Sequence, residues 1–128
     1  MKKFLIDTQA FIWMMNSPEH LTKTALQHIS HYSAYRYVSI ASPWEMAIKV
    51  SIGKLQLAHS IQEIIFDYAS ILEFLPIQAH HLAVIEKLPL YHRDPFDRII
   101  IAQALAENLP VVSSDATFDA YGIERIWE

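Results

Sequence analysis

The stretch His92-Arg-Asp-Pro-Phe-Asp-Arg-Ile-Ile-Ile-Ala-Gln-Ala-Leu105 places two carboxylates at the head of an apolar segment. Asp94 followed by Pro95 is typical of a helix start, because Asp caps free backbone N–H groups and Pro fits the first turn. Asp97 then falls in that turn, where the helix dipole favours an anion. Acids beside a run of Ile, Ala and Leu are costly to bury unless a cation meets them. The stretch therefore predicts a helix to about Glu107, with a cation-binding acid near its start.

Strand and helix patterns alternate along the rest of the chain. Phe4-Leu-Ile6 is a short apolar run that stops at Asp7, which predicts a buried strand with Asp7 at its carboxyl end. Helical spacing of apolar residues follows, up to Asn16. The other predicted strands span 37–40, 73–77, 110–113 and 122–127, and the other predicted helices span about 22–32, 43–52, 61–72 and 78–88. This alternation predicts an α/β fold, with a parallel sheet that helices cover on both faces.

The segment Ser42-Pro-Trp-Glu45 predicts the start of the helix that follows the second strand. Ser42 is a good N-cap, Pro43 suits the first helical position, and Glu45 falls at the capping-box position. Gly53 is predicted to end this helix, because glycine readily adopts the left-handed conformation common after a helix.

The composition limits the class of protein. A chain of 128 residues fits one domain, predicted to span residues 1–128, and it can bury a substantial core. A hydrophobic fraction of 52% is high for a soluble domain, so part of the apolar surface is expected to lie in a homodimer or a partner complex. The net charge of −4 argues against broad coating of nucleic acid, but a metal ion can locally offset clustered acids.

The chain has no cysteine, which excludes disulfides, thiolate zinc sites and cysteine nucleophiles. This absence fits a reducing cytoplasm, which is the expected location. The N-terminus lacks the long apolar stretch of a signal peptide, and no run reaches the length of a transmembrane helix. We therefore expect no association with a membrane.

Four acids fall at comparable junctions between a strand and a helix. In parallel sheets, ligands bind beyond the carboxyl ends of the strands. The acids predicted at that rim are Asp7, Glu45, Asp97 and Asp115. Mg²⁺ and Mn²⁺ prefer oxygen ligands, and such an ion can bind a phosphodiester oxygen and activate a water. The acids therefore predict a divalent-metal site in a hydrolase.

Each of these acids also has a structural interpretation. Asp94 can cap its helix, Glu45 can complete a capping box, and Asp115 can begin a turn. Asp7 is the hardest to explain in this way, since its neighbours on both sides are mostly apolar. A non-catalytic binding module whose acids merely cap helices is thus one alternative. A phosphatase with an aspartyl nucleophile is another, but such enzymes usually need a second Asp two residues after the first, where this chain has Gln9.

Several segments, in order along the chain, resemble the PIN-domain ribonucleases, and most closely the VapC-type toxins of bacterial toxin–antitoxin pairs. The segments are Leu5-Ile-Asp7-Thr8, Ser42-Pro-Trp-Glu45, Asp94-Pro-Phe-Asp-Arg98 with Ile101-Ala-Gln-Ala104, and Val112-Ser-Ser-Asp115 followed by Phe118, Tyr121-Gly122 and Ile126-Trp127. The resemblance covers almost the whole chain. It implies a PIN-like three-layer sandwich with a central parallel sheet, Mg²⁺- or Mn²⁺-dependent endoribonuclease activity on RNA, homodimers, and inhibition by a cognate antitoxin.

The resemblance also implies roles for individual residues. The positions that match the family's acids, and that would hold the metal ion and orient the water, are Asp7, Glu45, Asp97 and Asp115. Thr8 and Ser113 match small hydroxyl positions beside these acids. Asp94 is assigned as a cap or as a support behind the metal ligands. Arg98 is expected to contact RNA phosphate or to pair with a site carboxylate.

The basic and aromatic residues carry weaker predictions. His92 and Arg93 are predicted to touch RNA phosphate. Lys49 and Lys54 can form part of a basic rim, although we favour a solvated helix face for them. The histidines predicted to be solvated or structural, rather than metal ligands, are His28, His31, His80 and His81. The large apolar residues predicted to lie mostly in the core are Trp13, Met14, Met15, Trp44 and Met46.

Overall fold

The computed structural model describes residues 2–128, and a five-stranded parallel sheet runs through its centre. The strands are β1 (Lys2–Ile6), β2 (Ala34–Ser39), β3 (Glu73–Leu75), β4 (Val111–Val112) and β5 (Arg125–Ile126). They lie in the order β3-β2-β1-β4-β5, and each neighbouring pair is parallel. The prediction of a parallel α/β fold is confirmed.

Six α-helices connect the strands or lie beside them. They are α1 (Thr8–Asn16), α2 (Lys23–Ser30), α3 (Ala41–Ser51), α4 (Ile61–Tyr68), α5 (Ala79–Glu86) and α6 (Pro95–Glu107), with short 3₁₀ helices at Pro18–His20 and Ala116–Tyr121. None of the helices within residues 2–128 combines the length and the apolar character needed to cross a bilayer.

Alternate residues of the central strand point into two separate apolar cores. Phe4 and Ile6 belong to one core, which includes Phe11 of α1 and buried residues of α2 to α4. Leu5 faces the other core, where Ile101 of α6 packs against the sheet. Because side chains alternate across a strand, one buried β1 supplies both cores. The result is the expected three-layer sandwich.

The strand order reverses between β1 and β4, and this reversal positions the polar site. The chain adds β2 and β3 on one side of β1, then returns to place β4 and β5 on the other side. The Asp7 N–H donates to the Val112 carbonyl at 3.1 Å, so the carboxyl ends of β1 and β4 meet. Connections that leave adjacent strands in opposite directions open a crevice, which is where ligands bind in such sheets.

The start of α3 differs from its prediction. The helix begins at Ala41, and its capping position is Ile40 rather than Ser42. The Ser39 hydroxyl accepts the Ala41 N–H at 3.1 Å, so a serine three residues earlier supplies the local oxygen. Ser42 is instead buried within the helix. The predicted end of α3 is confirmed, since Gly53 follows the helix with a φ of 77°.

Strand β2 begins earlier than predicted and ends one residue sooner. Residues 34–36 pair with the first residues of β1, so the strand covers 34–39 instead of 37–40. Arg36, in the first half of β2, contacts the end of α2 through its guanidinium. It donates to the carbonyls of Ile29 and His31, which end α2.

Candidate active site

Asp7 begins the site at the carboxyl end of β1. Its side chain is buried, and Oδ1 accepts the Ala10 N–H at 2.8 Å, which caps α1. Thr8 follows, also buried, and its hydroxyl lies 2.8 Å from the hydroxyl of Ser42 in α3. The Thr8–Ser42 contact ties the start of α1 to the first turn of α3.

The carboxyl end of β4 contributes a second acid beside Asp7. Ser113 is fully buried, and its hydroxyl accepts the Asp115 N–H at 2.9 Å. Asp115 in turn caps the following 3₁₀ helix, because its Oδ1 accepts the Thr117 N–H at 2.9 Å. This local network fixes the backbone of Asp115 and leaves Oδ2 directed to other partners.

The head of α6 contributes Asp94 and Asp97. Asp94 Oδ1 accepts the N–H groups of Phe96 and Asp97, at 2.9 and 3.2 Å, so its predicted capping role is confirmed. Asp97 lies three residues further along, in the first turn. The cap therefore holds the backbone from which the Asp97 carboxylate projects.

Glu45 approaches the same site from the second turn of α3. It does not form the predicted capping box, because the helix starts before Ser42. Its carboxylate pairs with Lys49 one turn later, at 3.1 Å between Oε2 and Nζ. The Glu45 side chain is 12% exposed and that of Lys49 is 41% exposed, so the lysine lies at the solvent side of the pair.

The structure brings all four predicted acids to one polar cavity of about 290 Å³. Lys49 is the one basic side chain on its wall among the residues described. The lining residues are Asp7, Thr8, Gln9, Ile12, Glu45, Lys49, Asp94, Asp97, Ser114 and Asp115. Carboxylate oxygens from separate elements are the donor set that a hard divalent cation prefers. The residues therefore fit a metal ion of the Mg²⁺ type.

Burial and mutual repulsion raise the pKa of two of these carboxylates, Asp7 and Asp97. Burial raises the pKa of Asp7 to about 6, against hydrogen bonds from Ser113 and Ala10 that lower it. Burial also raises the pKa of Asp97 to about 7, and the nearby His92 opposes this rise. The negative charges of neighbouring acids add to both shifts. Ionised acids held so close together are stabilised when a cation lies between them.

His92 joins two of the acids directly. Its Nε2 lies 2.8 Å from Asp115 Oδ2 and 3.2 Å from Asp97 Oδ2. Burial tends to raise the pKa of Asp115, but hydrogen bonds from Thr117 and His92 outweigh it and leave the pKa lowered. His92 was predicted to touch RNA phosphate, and its contact with these two acids was not predicted. The nearby Asp94 and Asp97 were the available signal, because a histidine next to a helix head can turn back to its acids.

Arg98 does not pair with a site carboxylate within the described residues, contrary to one of the two roles expected for it. Its guanidinium donates to three backbone carbonyls, those of Leu88, Pro89 and His92, at 3.0–3.1 Å. These bonds hold the loop before α6 in place. Its donors are thus directed to the loop and away from the acids.

A second group of possible metal ligands lies elsewhere, at His80, His81 and Glu107. The buried His81 accepts the Gln78 N–H at Nδ1, 3.0 Å away, so its proton is on Nε2. That proton is donated to Glu107 Oε2 at 2.9 Å, and His80 approaches the same oxygen at 2.7 Å. A metal ion at His81 Nε2 would require this proton to leave. In the structure these three side chains contact one another through hydrogen bonds, which fits the solvated or structural role predicted for His80 and His81.

The predictions for Met46 and Trp44 as core residues have different outcomes. Met46 is fully buried, as expected. Trp44 is 57% exposed and is not a core residue, and its ring meets that of Phe96 edge to face at 4.9 Å between centroids. Lys54 and Arg93 are both exposed and are absent from the cavity wall.

Comparison with known proteins gives the family. The family model of the PIN domain matches residues 4–124 of this sequence. A comparison with curated protein sequences finds no significant match. The solved structures that contain a chain of similar fold include three VapBC complexes. They are the DNA-bound VapBC of Salmonella typhimurium (TM-score 0.73, 18% identity, 98% of this chain and 97% of that chain), VapBC2 of Rickettsia felis bound to a promoter DNA fragment (0.72, 15%, 98% and 99%), and VapBC-1 of nontypeable Haemophilus influenzae (0.70, 16%, 96% and 96%). Since the family model spans nearly the whole chain, the protein belongs to the PIN domain family.

Proposed function

We propose that the protein is a metal-dependent endoribonuclease and the toxin of a VapC-type toxin–antitoxin pair. The observation that carries this proposal is the convergence of four acids from separate elements at the crevice between β1 and β4. Membership of the PIN domain family supports a nuclease.

The metal ligands are Asp7, Glu45, Asp97 and Asp115, and the ion is Mg²⁺ or Mn²⁺. When bound, the ion supplies a Lewis acid that stabilises charge on phosphodiester oxygens and promotes ionisation of a water. Asp7 is suited to the innermost position because it is almost fully buried and rigidly held by the Ala10 N–H. Asp97 is 27% exposed, so it faces the side from which water and substrate enter.

The other residues hold these ligands or meet the substrate. Thr8 and Ser113 have their hydroxyls engaged beside the acids, which fits supporting roles. Asp94 supports Asp97 by capping its helix. Lys49 can leave Glu45 and bind a phosphate of the RNA, since its ammonium group is partly exposed at the cavity. Hydrolysis by a metal ion and an activated water needs no Ser or Cys nucleophile.

Partner binding is proposed from the surface and from the similar structures. The three VapBC complexes each contain a chain of similar fold, which supports a cognate antitoxin for this chain. Exposed apolar side chains provide surface for such a partner and for a homodimer; examples are Trp44, Ile52 and Phe66.

Cleavage of RNA by the purified protein tests the proposed activity. Wild-type protein with Mn²⁺ should produce discrete RNA ends, mapped by sequencing, and EDTA should abolish them. Asp97→Asn should fold normally and cleave at a rate lower by on the order of 100-fold or more. Asp67→Asn, which changes an exposed acid on α4, is the matched control and should retain activity.

The two alternatives give other results. Acids that only cap helices predict no stabilisation by Mn²⁺ in a thermal-shift measurement. A phosphomonoesterase predicts hydrolysis of p-nitrophenyl phosphate without RNA cleavage. Full RNA cleavage by Asp97→Asn would refute the assigned site.

A further inference from the structure

We propose that His92 is a positioning residue that holds the carboxylates of Asp97 and Asp115 in the arrangement that receives the metal ion. The inference rests on the proposed function, because it concerns the same site. It adds a residue that lies outside the four acids and that bridges two of them.

The contacts of the His92 ring define its role as a donor. The Asp94 N–H points at Nδ1, 3.3 Å away, so Nδ1 accepts and the proton of the neutral ring is on Nε2. Nε2 is then directed to Asp115 Oδ2 at 2.8 Å and to Asp97 Oδ2 at 3.2 Å. One N–H group therefore lies between carboxylates carried by two different elements. With its proton on Nε2, the neutral ring acts on these two acids as a hydrogen-bond donor.

The structure holds this ring firmly. The His92 side chain is only 15% exposed, and Phe118 packs against the ring with an edge-to-face geometry. The His92 N–H donates to the Tyr121 hydroxyl at 2.8 Å, and that hydroxyl donates to the Pro89 carbonyl at 2.7 Å. Arg98 binds the His92 carbonyl from the other side at 3.0 Å. Backbone and ring are thus both fixed, which is the condition for a donor that orients other groups.

The two acids need such a donor for different reasons. Asp115 lies on the short segment after β4, and its Oδ1 is already used by Thr117. Asp97 lies in the first turn of α6 and has no other side-chain hydrogen bond among those described. Without His92, the carboxylates would repel each other and turn towards solvent. Partners behind metal ligands commonly change metal affinity by 10- to 100-fold.

Calorimetric titration with Mn²⁺ alone tests this role on the full-length protein, with the fold of each variant checked by circular dichroism. In His92→Asn, the shorter side chain ends near the position of Nδ1, so the N–H donor to Asp97 and Asp115 is lost. The Mn²⁺ affinity of this variant should therefore fall on the order of 10-fold. His92→Gln places an amide N–H at about the reach of Nε2 and should restore most of the affinity. His80→Asn removes a similar histidine–carboxylate contact far from the cavity and should bind Mn²⁺ like wild type.

Unchanged or tighter Mn²⁺ binding by His92→Asn would overturn the inference and leave the proposed ribonuclease standing. Loss of affinity without recovery in His92→Gln would also count against it, because the donor would then not be the cause. If His92→Asn does not fold, Tyr121→Phe decides: weaker Mn²⁺ binding supports the role, and unchanged binding refutes it. Absence of Mn²⁺ binding by the wild-type protein would refute both the metal site and the role of His92.

Discussion

At the scale of single residues, Asp7 combines two duties that oppose each other in the metal-free protein. Its Oδ1 caps α1 through the Ala10 N–H, which stabilises the helix. Its charge is buried beside other acids, which raises its pKa to about 6 and costs free energy when it ionises. Sequence alone predicted an acid at the end of β1 but not the cap, because the apolar residues that follow gave no cue to where the helix begins.

Replacing Asp7 by Asn separates these duties. Asn retains an oxygen for the cap and removes the buried charge, so the metal-free variant should melt at a higher temperature than wild type at about pH 8. It should also lose RNA cleavage and stabilisation by Mn²⁺. Thermal denaturation in EDTA and in Mn²⁺ measures both effects, with Asp67→Asn as the control. A metal-free variant less stable than wild type would show that the charge is not destabilising.

The raised pKa values also predict how stability depends on pH. Between about pH 4 and pH 7, folded Asp7 and Asp97 hold protons that the unfolded chain releases. The free energy of unfolding in EDTA should therefore decrease as the pH rises through this window, by roughly 3 kcal/mol from Asp7 alone. Urea denaturation at about pH 5 and pH 8 measures the upper part of this decrease, which is roughly half of it for Asp7. Equal or greater stability at the higher pH would contradict the raised values, and saturating Mn²⁺ should reduce the trend.

At the scale of elements, the site depends on where helices begin. The start of α6 was predictable because Asp94 and Pro95 together form a strong start signal. The start of α3 was not, because Ser42-Pro43 has the same appearance while the helix already begins at Ala41. The Ser42 hydroxyl is instead used by Thr8, a contact 34 positions distant in sequence that no local pattern reveals.

The cap of α6 gives a prediction at this scale. Asp94→Ala leaves two N–H groups of the first turn without their partner and should lower the free energy of unfolding by about 1–2 kcal/mol. Asp94→Asn keeps the accepting oxygen and should lower it much less. Urea denaturation in EDTA compares the two variants with wild type. Equal stability of all three proteins would show that the cap contributes nothing.

The loop that carries His92 shows what local patterns leave out. Its conformation depends on Arg98 from α6 and Tyr121 from the 3₁₀ helix after β4, which approach it from separate parts of the chain. Arg98 was expected near phosphate or carboxylate, yet it satisfies three carbonyls of this loop. A guanidinium offers several N–H donors in one plane. The carbonyls of this loop can therefore bind it in place of a phosphate or a carboxylate.

At the scale of the whole molecule, the order of the strands brings the acids together. The alternation of strands and helices predicted a parallel sheet, and hence acids at one edge of it. It did not predict that β4 lies next to β1, although this neighbourhood places Asp115 beside Asp7. The order follows from how the two apolar cores pack around β1, which depends on contacts between residues far apart in sequence.

The most direct test of the metal site is the anomalous scattering of Mn²⁺ in crystals of the protein. A peak is expected in the cavity at the carboxyl ends of β1 and β4, where carboxylate oxygens of Asp7 and Asp97 would bind the ion. No peak is expected in crystals of Asp97→Asn soaked in the same way. A Mn²⁺ peak at His80, His81 and Glu107 instead, or none at the acids under conditions that support RNA cleavage, would contradict the proposed metal site.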